Sequence, residues 1–418
     1  MTGRTLVTVG AGQAAAVAAR TLRRRGFDGR IVLVGDEPHL PYQRPPLSKE
    51  FLSGADGFES LEILPEKWRA DNDVEIRTRA EVIRVDAAGR RVELASGAPI
   101  EADAVLFATG GRPRVLQVPG PRPELVHYLR TVDDAIALQR SLTPGSRLAI
   151  IGAGFVGLET AATARSLGTE VTVLEAAPVP LANVIGARLG AELVRIHRDH
   201  GVDVRTGVTV EQLSTTAEGV VVDCADGGRL EADAVLIGIG IVPNTEVAAA
   251  SGLQVRDGIV VDAQGRTSTP HIYAAGDVAQ RYSARAGGHV RFEHFDNANR
   301  QGAAVANAML GRDAVSDDAP WFWSDQYDHN LQLLGEATTD LVIRGNPDDN
   351  DFTAFYLDGD LLRGVFTADR GEDVMVGREL LGRHIERAVL ADEDTDLWDL
   401  VETEEAVSCC PSTRGTKQ

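Results

Sequence analysis

The sequence predicts an α/β protein with two similar doubly wound halves, followed by an α+β region that carries an antiparallel sheet. First, a strand-like apolar run, a glycine-rich turn and a helix-like segment occur twice, starting at Leu6 and at Leu148. Second, an apolar run closes each half on a small-residue turn, at 104–111 and at 234–240. Third, the alternating segment 352–357 is typical of antiparallel strands.

Each glycine-rich turn has the pattern of a phosphate-binding loop. The turns are GAGQAA at 10–15 and GAGFVG at 152–157. The first glycine permits a tight bend, the second lets the backbone approach a pyrophosphate, and the third position, Ala15 or Gly157, must be small for helix–strand packing. The following helix points its positive end at the phosphates. Because both turns lie in complete strand–helix–strand units, we expect two Rossmann-like domains that hold two dinucleotides.

The order of the elements predicts the domain boundaries. A further apolar strand at 272–278 ends in an acidic residue and precedes a helix-like segment at 297–310. We expect this part of the chain to return to the first domain. The predicted domains are a discontinuous first dinucleotide-binding domain (1–112 and 244–319), a second one (113–243), a C-terminal domain (320–405) and a tail (406–418).

Acidic residues distinguish the two nucleotide sites. Glu175 ends the second strand of the second unit, where a carboxylate can accept hydrogen bonds from both ribose hydroxyls and would repel a 2′-phosphate. The aligned position of the first unit is Gly35, followed by Asp36 and Glu37. Asp36 is therefore predicted to bind the ribose of the first site. The alternative for each acid is a solvated turn residue.

Composition excludes several classes of protein. The formal charge of −20 argues against binding to nucleic acid, which needs a basic surface. No apolar run approaches the roughly 20 residues that span a bilayer, so no membrane association is predicted. The first strand begins almost at the N-terminus, which leaves no room for a signal peptide. We therefore expect a cytoplasmic protein.

The three cysteines do not have metal-ligand or dithiol spacing, and no metal site is predicted. Cys224 lies in a strand-like run and is expected to be a packing residue. Cys409 and Cys410 lie in a polar tail, where a regulatory cysteine pair is the less favoured alternative. The segment 391–405 carries eight acidic residues and is expected to form an exposed face.

Several motifs together resemble a known superfamily. They are the Ala-Thr-Gly-Gly closure at 108–111, the second glycine turn with Glu159 and Glu175 after it, and the run Tyr-Ala-Ala-Gly-Asp at 273–277. In this order they resemble the two-dinucleotide flavoprotein disulfide reductases.

Two longer motifs select a branch of that superfamily. PYQRPPLSK at 41–49 and PWFWSDQY at 320–327 resemble the FAD-dependent NADH:ferredoxin reductases that serve bacterial haem monooxygenases and Rieske-type dioxygenases. The resemblance runs from about residue 4 to about residue 385. It implies FAD in the first site and NADH in the second.

The resemblance also implies the residues of the two sites. The positions that match FAD contacts are Gly10, Gly12, Ala14, Asp36, Arg44, Lys49, Val82, Thr109, Gly110, Arg130, Gly276, Asp277, Phe295 and Trp321. The positions that match NAD contacts are Gly152, Gly154, Gly157, Glu159, Glu175 and Gly240.

The resemblance gives five of these residues a chemical role. Lys49 and Arg130 would pair with the flavin ring and the pyrophosphate, whereas their alternative is surface charge. Asp277 would accept from the ribityl chain. Glu159 would orient the nicotinamide carboxamide, whereas its alternative is an ordinary acid at a helix N-terminus. Lys49 and Glu159 are the predicted catalytic residues, and Trp321 would shield the flavin edge unless it is a core aromatic.

The segment that carries the reactive cysteine pair in disulfide reductases, here 43–52, contains no cysteine. Electrons from a reduced flavin must therefore pass to oxygen, to a small molecule or to an external one-electron carrier. We expect an FAD-dependent NADH:ferredoxin oxidoreductase that reduces an acidic 2Fe-2S ferredoxin, which in turn serves a haem monooxygenase or a Rieske dioxygenase. The alternatives are an NADH oxidase and a redox-responsive interaction protein resembling apoptosis-inducing factor.

Further expectations concern selectivity and partners. Val179 and Asn183 replace arginines that relatives commonly carry, so NADH is predicted over NADPH. An acidic reductase that meets an acidic ferredoxin needs a local basic patch, for which Arg44, Arg300 and Arg312 are the candidates. The resemblance implies a monomer or a weak homodimer.

Overall fold

The computed structural model describes residues 3–118, 123–217, 219–315 and 317–408. Cys409 and Cys410, with most of the predicted tail, lie outside the described residues. The chain divides into two compact units, 1–174 with 209–318 and 175–208 with 319–418. This division groups the residues differently from the three predicted domains, which stay a prediction.

The first part of the chain builds a parallel sheet with a small antiparallel one beside it. Strand β1 pairs in parallel with β2 and with β7, and these strands follow the order β7-β1-β2-β3. Strands β4, β5 and β6 form the antiparallel sheet. The elements are β1 (Thr5–Val9), α1 (Gln13–Arg24), β2 (Arg30–Val34), α2 (Glu50–Ser53), α3 (Glu66–Asn72), β3 (Val74–Arg77), β4 (Val82–Asp86), β5 (Arg91–Leu94), β6 (Ile100–Glu101), β7 (Ala104–Phe107) and β8 (Gly111–Pro113).

The second part repeats this arrangement. Within the first compact unit its parallel strands follow the order β11-β10-β16-β9, and β13, β14 and β15 form a meander. The elements are β9 (Val126–His127), α4 (Val132–Gln139), β10 (Arg147–Ile151), α5 (Phe155–Ser166), β11 (Glu170–Glu175), α6 (Ala182–Asp199), β12 (Asp203–Thr206), β13 (Val210–Thr215), β14 (Val220–Cys224), β15 (Arg229–Ala232), β16 (Ala234–Ile237) and β17 (Ile241–Pro243).

The chain then returns to the first sheet, as predicted. Strand β20 pairs in parallel with β7, and helix α8 packs on α1. The approach of these helices is close, because a Cβ on Gly302 would lie 2.5 Å from the carbonyl oxygen of Ala14. The elements are α7 (Glu246–Ala250), β18 (Val255–Arg256), β19 (Gly258–Val261), β20 (Ile272–Ala274), β21 (Ala279–Ser283), β22 (Gly288–Val290) and α8 (Phe295–Met309).

The two parallel sheets are hydrophobic because helices cover strands that are buried on both faces. Strands β7 and β16 are buried along their whole length. Ala14, Ala15, Ala18 and Ala19 bring α1 close to its sheet. Cys224 is also buried, in β14. Among the described residues no helix is long and apolar enough to cross a membrane.

The second compact unit contains the predicted antiparallel sheet, with the order β23-β24-β27-β26-β25. Its core includes Phe355, Leu362, Val365 and Leu380. The elements that follow α8 are β23 (Trp321–Gln326), β24 (His329–Gly335), β25 (Asp340–Asn346), β26 (Asp351–Asp358), β27 (Leu361–Ala368), α9 (Gly371–Leu380), α10 (Arg387–Ala391) and α11 (Leu397–Ser408). The predicted fold class is therefore confirmed.

Helix α6 belongs to this second unit and is kinked. Gly186 has φ 81° and ψ 157°, which interrupts the helical backbone. The carbonyl of the preceding residue, Ile185, accepts a hydrogen bond of 2.5 Å from the buried hydroxyl of Tyr356. The sheet thus donates a hydrogen bond to a carbonyl at the kink.

Candidate active site

The first glycine turn joins β1 to α1 and has the geometry that a pyrophosphate needs. Gly10 has φ 102°, and a Cβ there would lie 2.3 Å from the carbonyl oxygen of Ala108. Gly12 precedes α1, and a Cβ there would meet nothing within 4 Å. Gly10 is therefore required by the fold, whereas Gly12 leaves space in front of the unpaired N–H groups of the helix.

The second turn, between β10 and α5, repeats this division of roles. A Cβ on Gly152 would lie 2.4 Å from the carbonyl oxygen of Gly238, and one on Gly157 would lie 2.3 Å from that of Gly152. A Cβ on Gly154 would meet its nearest atom only at 4.0 Å. The first and third positions serve close packing, and the second leaves room for a ligand, as the motif predicts.

The two adjacent acids that follow Gly35 differ in their surroundings. Asp36 is exposed, whereas Glu37 is partly buried. Glu37 accepts hydrogen bonds from the hydroxyl of Tyr42 and, at 2.5 Å, from the guanidinium of Arg44. Arg44 also donates to the carbonyl oxygen of Arg130 at 2.5 Å. Glu37 and Tyr42 were not predicted as site residues, although Glu37 shortly precedes the motif at 41–49 and Tyr42 lies within it.

Arg130 and Asp277 form an ion pair in the first unit. Nη2 of Arg130 lies 2.8 Å from Oδ2 of Asp277. A Cβ on Gly110 would lie 3.3 Å from the same Nη2, so the small-residue closure lies against this arginine. The adjacent Gly276 donates its N–H to the buried amide of Gln301. Four predicted residues, Arg44, Gly110, Arg130 and Asp277, are thus brought together.

Two buried polar atoms around this site have no partner among the described residues. They are Nε of Arg130 and Oε1 of Gln13, the first residue of α1. Buried polar groups are normally hydrogen-bonded, and a nucleotide offers both acceptors and donors. Together with the open space at Gly12 and Gly154, these atoms fit two bound dinucleotides.

The two predicted catalytic residues lie side by side. Nζ of Lys49 is 3.6 Å from Oε1 of Glu159, and each side chain is 8% exposed. Oε2 of Glu159 accepts a hydrogen bond of 2.5 Å from the buried hydroxyl of Ser48. Lys49 is therefore not a surface charge, and the role of Glu159 stays a prediction. Ser48 was not predicted, because its partner lies 111 residues away in the sequence.

The remaining predicted residues of the first unit lie at the ends of elements. Val82 is buried at the start of β4, and Phe295 begins α8. Thr109 donates to the carbonyl oxygen of Asn244 at 2.6 Å. Gly240 has φ 94° and open space at its Cβ position. Burial lowers the pKa of His294, which precedes Phe295, and nearby Asp277 opposes that shift.

Two predicted residues lie in the second unit. Glu175 ends β11, and its carboxylate accepts the N–H of Ala177 at 2.8 Å. Trp321 is partly buried in β23, where its ring stacks on that of Trp323 at a centroid distance of 5.4 Å. Its indole N–H donates to Gln332.

Of the three arginines considered for a basic patch, two are neutralised by carboxylates. Arg44 binds Glu37, and Arg300 binds both Asp296 and Asp318. Arg312 is exposed and donates to a backbone carbonyl, that of Arg25. Arg312 is thus the best placed of the three to attract an acidic partner.

Among the described residues there is no group of three or more histidine, cysteine, aspartate and glutamate side chains that could hold a metal ion.

Two family models match the chain. The model described as pyridine nucleotide-disulphide oxidoreductase matches residues 4–302, and the one described as reductase C-terminal matches residues 321–401.

Individual relatives match nearly the whole chain. It is 41% identical over 396 residues to rhodocoxin reductase of Rhodococcus erythropolis, which covers 94% of this chain and 92% of that protein. It is 38% identical over 384 residues to the ferredoxin–NAD⁺ reductase component of the anthranilate 1,2-dioxygenase system of Burkholderia cepacia (91% and 95% covered). The putidaredoxin reductase of a covalent putidaredoxin reductase–putidaredoxin crystal structure is 35% identical, with a TM-score of 0.92 (97% and 100% covered).

Proposed function

Because the chain belongs to the pyridine nucleotide-disulphide oxidoreductase family, whose members use FAD and NAD(H), we propose that it is an FAD-dependent NADH:ferredoxin oxidoreductase. In this proposal a 2Fe-2S ferredoxin carries the electrons to a haem monooxygenase or a Rieske dioxygenase. Support comes from relatives that are named rhodocoxin reductase and the ferredoxin–NAD⁺ reductase component of a dioxygenase system.

The observation that carries the proposal is the buried cluster of Ser48, Lys49 and Glu159. It joins the 41–49 motif to the helix of the second glycine turn, in a segment without cysteine. A protein dithiol therefore cannot take electrons there. The one cysteine before residue 409 is Cys224, which is buried in a strand of the meander. We therefore propose an acceptor outside the protein.

FAD, when bound, supplies the conversion of two-electron transfer from NADH into one-electron transfer. The chain supplies position and charge. Gly12 and the N-terminus of α1 would hold the pyrophosphate together with Arg130, whose buried Nε has no partner among the described residues. Asp277 orients Arg130 and would accept from a ribityl hydroxyl.

The second nucleotide would use the turn at Gly152–Gly157 in the same way. Gly154 leaves room for the pyrophosphate, and Glu175 would accept from the adenosine ribose. Glu159 would bind the nicotinamide carboxamide, while Lys49 balances its negative charge inside the protein. These two residues would thus hold the nicotinamide in place and exclude water from it.

The proposed partner is an acidic ferredoxin, whose approach to a chain of charge −20 requires local positive surface. Of the arginines considered, Arg312 is exposed and has no carboxylate partner in the described part of the chain, whereas Arg300 binds two. Charge reversal in Arg312→Glu should slow ferredoxin reduction and reduce its salt dependence, with unchanged turnover of NADH with ferricyanide. Unchanged ferredoxin kinetics would exclude this residue from the patch.

The test of the proposed function is NADH-dependent reduction of cytochrome c by the purified protein, with and without a 2Fe-2S ferredoxin from the same organism. Strong dependence on ferredoxin is expected. Equal rates with and without ferredoxin, accompanied by oxygen consumption, would overturn the proposal and indicate an NADH oxidase. Absence of turnover with either acceptor would favour a redox-responsive interaction protein.

A further inference from the structure

The carboxylate of Glu159 is buried, so its negative charge must be compensated by neighbouring groups. Glu159 is on α5, two residues after the second glycine turn, and its side chain is 8% exposed. Removing a carboxylate from water costs several kcal/mol unless charge and hydrogen bonds replace its hydration. The contacts that replace the hydration also decide where the two oxygens point.

Two of those contacts differ in kind. Lys49 lies 3.6 Å from Oε1, which is within ion-pair range but longer than a hydrogen bond. Ser48 lies 2.5 Å from Oε2 and donates its proton there. Charge attraction varies slowly with direction, whereas a short hydrogen bond fixes direction. Lys49 therefore supplies charge, and Ser48 fixes the orientation of the carboxylate.

Ser48 is itself held in place. Its other acceptor, the carbonyl oxygen of Pro45, is 3.3 Å away, so the single hydroxyl proton goes to the much closer carboxylate. Its own carbonyl accepts a hydrogen bond of 2.7 Å from Thr163, one helical turn beyond Glu159 on α5. Two consecutive turns of the helix are thus attached to one serine.

We propose that Ser48 is a positioning residue, which holds the Glu159 carboxylate in the orientation that binds the nicotinamide carboxamide. This inference rests on the proposed function, because Glu159 has that ligand only in a pyridine-nucleotide oxidoreductase. Ser48 itself does not touch the nucleotide in this account. It acts through Glu159, with Thr163 as its support.

The test compares Ser48→Ala with the wild type in two measurements on the FAD-loaded protein. NAD⁺ binding is measured by calorimetry, and flavin reduction by NADH is measured in anaerobic stopped flow. Loss of a buried charged hydrogen bond should lower the limiting rate about tenfold and weaken NAD⁺ binding about threefold. Ser48→Thr keeps the hydroxyl and should recover most of both values.

The matched control is Ser53→Ala, which removes a hydroxyl that donates to a backbone carbonyl on the adjacent helix α2. Both measurements should stay at the wild-type values. Thr163→Val keeps Ser48 but removes the hydroxyl that donates to the Ser48 carbonyl oxygen. It should lower the limiting rate of flavin reduction about threefold. This variant keeps the idea testable if Ser48→Ala does not fold.

A double-mutant cycle separates positioning from general damage. In the Glu159→Gln background the carboxylate is absent, so Ser48→Ala and Thr163→Val should each change the rate less than about twofold. The inference would be overturned if Ser48→Ala reduced the flavin at the wild-type rate. It would also be overturned if Ser48→Ala lowered the rate by the same factor in the Glu159→Gln background as in the wild-type background.

Failure of the proposed function has a different signature. The dithionite-reduced wild type should pass electrons to the 2Fe-2S ferredoxin, and the control Ser53→Ala should do so at the same rate. If the wild type cannot reduce ferredoxin in this assay, the proposed function is wrong, while the effect of Ser48 on NAD⁺ binding is still measured.

Discussion

Nη2 of Arg130 lies 2.8 Å from Oδ2 of Asp277, although the two residues are 147 positions apart in the sequence. Arg130 precedes α4, and Asp277 follows β20 at the carboxyl edge of the first parallel sheet. The pair leaves Nε of Arg130 buried without a partner among the described residues. The carboxylate thus orients a guanidinium that still has a donor to offer.

Arg130→Ala should weaken FAD binding. The variant removes the charged donor that we propose for the pyrophosphate and leaves Asp277 without its cation, so the dissociation constant of FAD should rise about tenfold or more. The measurement is fluorescence of FAD released on dilution. The control is Arg140→Ala, which removes an exposed arginine at the C-terminal end of α4, the helix that follows Arg130. Equal FAD retention in both variants would remove Arg130 from the proposed site.

Gly154→Ala should separate nucleotide binding from folding. A Cβ there meets its nearest atom at 4.0 Å, so the melting temperature should stay near that of the wild type. The methyl group would occupy the space proposed for the pyrophosphate, and the dissociation constant of NADH should rise about tenfold. FAD content should not change.

Gly152→Ala provides the contrast for that prediction. Gly152 has φ 103°, and a Cβ would lie 2.4 Å from the carbonyl oxygen of Gly238. This variant should lose folding stability rather than nucleotide affinity alone. If Gly154→Ala binds NADH as tightly as the wild type, the second turn does not hold its pyrophosphate.

His197 should make the folded protein sensitive to acid. Its ring is fully buried on α6, and burial lowers its pKa to about 4, although a hydrogen bond with Gln326 opposes the shift. The unfolded chain takes up a proton near pH 6.5, whereas the folded chain does so only near 4. The free energy of unfolding should therefore fall as pH drops from 6.5 to 4, by about 3 kcal/mol from this residue.

Urea unfolding of the wild type and of His197→Gln across this pH range measures that contribution. The pKa values of His127 and His294 are also lowered by burial, so the difference between the two proteins isolates His197. The control is His289→Gln, which removes an exposed ring. Its free energy of unfolding should change with pH as that of the wild type does. A His197→Gln protein with the same pH dependence as the wild type would contradict the assignment.

The sequence predicted what depends on local pattern. Both glycine turns, the strands that flank them and the antiparallel region were predicted because periodicity and turn chemistry are local signals. The resemblance, the oxidoreductase class and the cofactors FAD and NAD(H) are confirmed by the family matches. The individual site residues stay predictions.

Contacts between distant segments could not be predicted in this way. The motif at 41–49 contains Ser48 but gives no sign that its hydroxyl contacts Glu159, which only the fold shows. Asp36 and Glu37 are adjacent acids that the sequence pattern does not distinguish. In the structure only Glu37 is close to Tyr42 and Arg44. Which of two such acids is buried depends on packing, which no spacing rule encodes.

Glu175→Gln should shift the preference from NADH toward NADPH. The amide still accepts the N–H of Ala177, so the turn is kept, but the negative charge that would repel a 2′-phosphate is removed. The ratio of kcat/KM for NADPH to that for NADH should rise about tenfold. Ferricyanide serves as the acceptor, so the result does not depend on a ferredoxin.

The control for this prediction is Glu170→Gln, at the exposed first residue of the same strand. It changes the net charge by the same amount but lies at the opposite end of β11, away from the turn. Its ratio of kcat/KM for NADPH to that for NADH should therefore equal that of the wild type. A lower KM for NADPH than for NADH in the wild type would contradict the role of Glu175, because a carboxylate at the ribose and a 2′-phosphate cannot be accommodated together without a compensating cation.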